Sequence, residues 1–95
     1  MSEHRFEWDL EKAALNWRQH RVSFEEAKTV FGDPNARPQF DFTHSEVEDR
    51  WRVLGLSEKL RLLSVVYTKK DERTIRIISA RRATKTEARS YAFES

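Results

Sequence analysis

Ninety-five residues with 38% hydrophobic and 36% charged content suit residues 1–95 as one small domain, and three Trp and six Phe are too many for a disordered chain. With no cysteine, disulfides and thiolate metal sites are excluded, which fits a reducing cytoplasm. No apolar run reaches the roughly 20 residues of a membrane span, and the acidic N-terminus is not that of a signal peptide. The net charge of +2 hides a division: residues 1–49 carry six Lys/Arg against eleven Asp/Glu, and residues 50–95 carry twelve against five.

Such a division predicts a basic surface built by the second half, suited to nucleic acid or to an acidic partner. In chain order, RFEWD alternates Phe6 and Trp8 with charged residues, as a short half-buried strand does. Asp9 stands at a helix N-cap, and Leu10, Ala13, Ala14, Trp17 and His20 follow at helical spacing as the expected inward face. Ser23 and Glu26 form an S-x-x-E capping box, Phe24, Ala27, Val30 and Phe31 make a second apolar stripe, and Gly32 with Pro34 ends that helix.

From Arg37 the period changes to two. PQFDF reads as an edge strand. DRWRVLG places Trp51 and Val53 on one side and Arg52 and Leu54 on the other. LRLLSVVY is almost continuously apolar and reads as a central strand covered on both faces. KKDER is a hairpin turn, and TIRIISA returns from it. Thr84 and Glu87 form a T-x-x-E box that opens a last helix, with Ala88, Tyr91 and Ala92 expected inward. The order β-α-α-β-β-β-β-α predicts an α+β domain: a mostly antiparallel four- to five-stranded sheet with two N-terminal helices and a C-terminal helix.

Two glycines exclude a Gly-rich phosphate loop, and no thiol or serine nucleophile stands with a base. Asp41, His44, Glu46 and Glu48 match no metal-ligand spacing and read as a polar loop. The cations of the second half are left. Arg81 shares strand parity with Ile75 and Ile77, while Arg76 shares it with Ile78 and Ala80, so these two and the adjacent Arg82 do not all reach one side of a regular strand. Arg76 interrupts an apolar strand from within. A guanidinium at the rim and an ion pair with a first-half carboxylate both fit it. Arginine is no base at neutral pH, but its planar fork holds phosphate and stabilises a phosphorane. The proton acceptor is then sought in His20, His44, a lysine or a carboxylate.

Several stretches together resemble the BrnT family: FEWDLEKAALNWRQHRVSFEEAKTVFGDP, HSEVEDRWRVLG, LLSVVYT and IRIISARRATKTEARSY. The F-x-W-D start, the H-x-V-S-F-E-E-A step and the I-I-S-A-R-x-A ending recur in order, from about Phe6 to Tyr91. The resemblance implies a RelE-like fold and a cytoplasmic endoribonuclease toxin of a type II toxin–antitoxin system, which cuts RNA without a metal or other cofactor and arrests translation and growth. It implies as partner a BrnA-type antitoxin with a ribbon-helix-helix domain, two toxins and two antitoxins per complex, with operator DNA held only through the antitoxin.

On this sequence the family's cationic positions fall on Arg81 and on Lys69 or Lys70. The site expected on that basis has Arg81 and Arg76 stabilising the charge on phosphate, with Lys70, Tyr67 and His20 completing it. Tyr67 stacks on a base, and Lys69, Arg82 and Lys85 hold the RNA backbone. Two residues depart from the family pattern. Arg21 stands where a glycine usually supplies a left-handed turn, and Lys70 stands where arginine is common. The alternative from another class is a non-catalytic basic module that only grips an acidic partner. Direct binding of DNA is weaker, because no helix shows a dense basic face.

Overall fold

Residues 4–41 and 49–94 are described by the computed structural model, so His44, Glu46 and Glu48 lie outside the described residues. The elements follow the expected order: β1 (Arg5–Glu7), α1 (Leu10–His20), α2 (Phe24–Ala27) running into a 3₁₀ turn (Lys28–Gly32), β2 (Arg37–Phe40), β3 (Trp51–Leu56), β4 (Leu62–Lys69), β5 (Thr74–Arg82) and α3 (Lys85–Glu94). The strands form one sheet in the order β1-β5-β4-β3-β2. It is mixed: β1 runs parallel to β5, and the other three pairings are antiparallel. Such a parallel pair needs a long crossover, and here nearly the whole chain lies between its strands.

One face of the sheet is the core. Val53, Leu63, Val65, Tyr67, Ile75, Ile77 and Ala80 pack against Val22, Phe24, Ala27 and Val30 of the α2 region, with Phe6, Trp8 and Phe31 at the margin. Gly55 lets the 3₁₀ turn lie close on β3, since a Cβ there would stand 3.2 Å from Val30 and Ala36. β4 is central and buried from Leu63 to Thr68, as its apolar run predicts.

The helices depart from their expected faces. On α1, Leu10 is 79% exposed and Trp17 46%, whereas Asn16 is buried. The helix is therefore turned by about one residue's rotation, roughly 100°, from the face its apolar stripe predicts. The cause is the edge of β5. β1 pairs only with Thr74–Arg76, and beyond it α1 takes the edge. There the Asn16 amide accepts from Ala80 N at 3.0 Å and donates to Ala80 O at 2.9 Å. A side-chain amide thus stands in for the next strand's peptide, closing an edge that would otherwise offer free donors and acceptors. Asn16→Leu is expected to cost about 1–3 kcal/mol, because it leaves that buried pair of groups unmet. Urea denaturation measures it, with loss of amide-exchange protection centred on Ala80.

Arg21 does adopt the left-handed conformation, at φ 56° and ψ 35°, and its guanidinium stacks 5.5 Å from the Trp17 ring centroid. The Ser23–Glu26 box is only half made. Ser23 Oγ caps Glu26 N at 3.0 Å, but the Glu26 carboxylate turns inward. It accepts from Ser57 Oγ at 2.7 Å and from Arg61 Nε at 2.9 Å, with a second contact to Arg61 Nη2. The Thr84–Glu87 box is reciprocal, at 2.9 and 3.1 Å. Ala88 and Ala92 are exposed rather than inward. α3 is held by polar contacts instead: Tyr91 Oη donates to Asp33 Oδ2 at 2.5 Å, and Glu87 meets Arg81.

Candidate functional site

The sheet face opposite the core carries the arginines, and a β-bulge puts them there. Tyr67 opposes Ile77 but Val66 opposes Ser79, so Ile78 has no partner and the phase of β5 shifts by one residue. A bulge of this kind re-aims the side chains beyond it. Arg76, opposite Thr68, and Arg81, opposite Ser64, therefore share a face. This corrects the parity expectation, which holds only for a regular strand.

Cross-strand partners lie side by side, and three rows result. The first is Arg37, Leu54, Ser64 and Arg81. The second is Gln39, Arg52, Val66 and Ser79. In the third, Arg50 continues the β3 phase, as the bond from Asp41 N to Arg50 O at 2.8 Å shows, and Thr68, Arg76 and Glu7 complete the row. Successive rows are about 7 Å apart along the strands. Ser64 and Thr68 lie buried on this side, under long arginine stems and, at the first row, under Glu87 of α3.

Three cations of this face meet carboxylates. Arg81 makes a two-pronged pair with Glu87, Nη1–Oε1 at 2.9 Å and Nη2–Oε2 at 3.0 Å. The Arg81 hydrogen bonds hold the Glu87 carboxyl below its ordinary value, against the opposing effect of burial. Arg76 Nη1 meets Glu7 Oε2 at 2.8 Å, and Lys70 Nζ lies 3.7 Å from the same oxygen. Arg52 differs: its Nη1 donates to Ser64 Oγ at 2.6 Å. Among the described residues, it is held by a hydroxyl rather than by a carboxylate.

The predicted site residues divide accordingly. Arg81, Arg76 and Lys70 come together on the arginine face. Lys85 opens α3 and is exposed. Tyr67 does not join them. It is 3% exposed in the core with its ring 5.0 Å from Phe31, and burial pushes its hydroxyl pKa up, so no base reaches it for stacking. Lys69 opposes Ile75 on the core side and sits 5.0 Å from the Trp51 ring centroid. Arg82 opposes Leu63 and also faces away from the arginine rows. His20 ends α1, exposed, with no hydrogen bond or ion pair to these arginines. Arg37, Arg50 and Arg52 are additions. The alternation of DRWRVLG already separated Arg52 from the core, but only the register shows that it stands beside Arg81 and Arg76. Among the described residues, no three His, Asp or Glu side chains gather as a metal site.

A family model described as the ribonuclease toxin BrnT of type II toxin–antitoxin systems matches residues 8–87. The chain belongs to the BrnT family. A crystal structure of the Brucella abortus ribonuclease toxin BrnT aligns with a TM-score of 0.64, covering 86% of this chain and 99% of that one. At 18% identity that likeness shows a shared BrnT fold, here with a mixed five-stranded sheet and three helices. No curated protein sequence matches the chain. As a member of a ribonuclease toxin family, the protein belongs with an antitoxin, and its five arginines occupy the face that α2 leaves open.

Proposed function

We propose that this RelE-like protein is a cytoplasmic endoribonuclease toxin. It cuts RNA without a metal, arrests translation and growth, and is neutralised by a BrnA-type ribbon-helix-helix antitoxin in a complex of two toxins and two antitoxins. Operator DNA is contacted only through the antitoxin. The observation that carries this reading is the gathering of five arginines in three rows on one sheet face, in a chain of a ribonuclease toxin family. Arg52, held by the Ser64 hydroxyl rather than by a carboxylate, presents a charge that a polyanion can meet.

In this mechanism the 2′-oxygen attacks the adjacent phosphorus, and the P–O5′ bond breaks with its electron pair going to the 5′-oxygen, which takes a proton from water, leaving a 2′,3′-cyclic phosphate and a 5′-hydroxyl end. Arg52 and Arg81, in adjacent rows, stabilise the charge that builds on the phosphoryl oxygens, and Arg76 in the third row holds a flanking phosphate. One such donor is typically worth ~10²–10³ in rate. The proton of the 2′-hydroxyl passes to solvent, and Lys70 and Lys85 steer the backbone.

The test is cleavage of single-stranded RNA by the purified protein with a chelator present. Cleavage that persists, with cyclic phosphate ends, supports the reading. If three to five phosphates are held, log K should fall with log salt at a slope of roughly −2 to −3.5. A flat salt response and intact RNA would sink it.

A second reading has its own observation. Arg76 and Arg81 already have carboxylate partners, as cations of a non-catalytic module that grips an acidic protein would. Tight antitoxin binding with no RNA turnover would favour that module.

A further inference from the structure

The arginine face ends at β5, and a cavity of ≈ 260 Å³ opens there between that strand and α1. Its α1 wall is a single stripe, Lys12, Leu15, Asn16 and Gln19, at i, i+3, i+4 and i+7. Its sheet wall is Ile78, the residue expelled from the ladder by the bulge, and Ser79 of the second arginine row. Arg50 of the third row closes one side.

These walls have an unusual chemistry for a basic surface. Leu15 and Ile78 supply opposed apolar contact. The Asn16 amide is committed to the backbone, to Val22 O at 2.9 Å and to Ala80. The Gln19 amide is not: among the described residues it makes no hydrogen bond, and it is exposed at the cavity. A flat group of modest size, apolar on its faces and polar at its edge, fits such walls. Nucleobases unstacked from a single strand have that character, and proteins read them by stacking and by their hydrogen-bonding edges.

We propose that this cavity holds one unstacked base of the RNA whose phosphates lie on the arginine rows. Leu15 and Ile78 sandwich the ring and Gln19 reads its edge. An amide's donor and acceptor meet the N7 acceptor and N6–H donor of adenine, so adenine is the expected base. The bulge then has two consequences from one inserted residue. It brings Arg76 and Arg81 to one face and supplies the apolar wall beside them. Sequence preference at one position next to the cut is the predicted property, and it rests on the ribonuclease reading above.

The experiment digests a pool of single-stranded RNAs, randomised around the cut, with the wild-type protein and with Gln19→Leu and Leu15→Trp, and sequences the ends. Both positions are exposed, so melting curves of the variants should overlay the wild type. The wild-type protein should favour adenine at one position. Gln19→Leu should flatten that preference about tenfold or more, the discrimination of one good bidentate contact. Leu15→Trp fills the cavity and should abolish the preference. A wild-type protein that cleaves with no base preference overturns the proposal, and so do variants that keep the wild-type map. Absence of any cleavage by the wild type overturns the ribonuclease reading itself, and this proposal with it.

Discussion

Arg61→Ala is expected to destabilise the protein by roughly 3–5 kcal/mol, because it strands the Glu26 carboxylate without its counter-ion. The two sides of this pair are unequal: the Glu26 side chain is 1% exposed and the Arg61 side chain 25%. Removing the glutamate leaves a guanidinium that water can reach, so Glu26→Ala should cost less than Arg61→Ala. For a chain of this length the loss corresponds to a fall in Tm of roughly 12 °C or more. Replacing both residues together with apolar ones of similar volume should recover much of it.

The same pair sets a pH signature with a definite sign. In the wild type, the Arg61 hydrogen bonds hold the Glu26 pKa below its ordinary value, outweighing burial. A carboxylate lowered on folding contributes stability that is present above its unfolded pKa, about 4.3, and is lost as pH falls through the folded value. Without Arg61, burial acts with little to oppose it and raises the Glu26 pKa. That contribution then favours folding below the unfolded value and is lost as pH rises through the folded one. The stability gap between wild type and Arg61→Ala should therefore narrow as pH falls through the carboxylate range. Urea titrations at several pH values measure the gap. A gap that stays constant would mean that Glu26 is hydrated in the variant.

Why Glu26 read as a capping residue is instructive. S-x-x-E at a helix start is a local pattern, and its serine does cap. The carboxylate's real partner lies 35 residues along the chain, and no local pattern encodes it. The strands were legible because each carries its own period, and β4 because it is apolar throughout. The face of α1 was not, because what faces the sheet there is an asparagine bonding to backbone, while the apolar stripe of Leu10, Ala14 and Trp17 points to solvent. Tyr67 was misread for a related reason: VVYT sits next to cations in sequence, and the pleat sends the ring into the core. The arginine pairing was misjudged because one extra residue at Ile78 inverts the phase that parity arguments rely on. The candidate site was thus legible as a set of cations, and the sheet register decides which of them meet.

Of those cations, Arg52 and Arg81 make the sharpest functional prediction. Arg52→Ala should lower RNA cleavage by ~10²–10³ and should cost about 1–3 kcal/mol of stability, because it leaves the buried Ser64 hydroxyl without its partner. Arg81→Ala should cost activity on a similar scale. It should also loosen α3, because Glu87, bonded to Arg81 through both oxygens, belongs to the cap of that helix. The two effects separate through Glu87→Gln. If Arg81 serves only to anchor α3, Glu87→Gln should reproduce the activity loss of Arg81→Ala. If phosphate must displace Glu87 from Arg81, removing that competing charge should tighten RNA binding even as the helix cap weakens. Kd for a single-stranded RNA, cleavage rate and Tm, measured on the three variants and the wild type, decide the matter. Tighter binding by Glu87→Gln together with slower cleavage by Arg52→Ala would place phosphate on the first two arginine rows. Wild-type cleavage by Arg52→Ala would remove Arg52 from the mechanism.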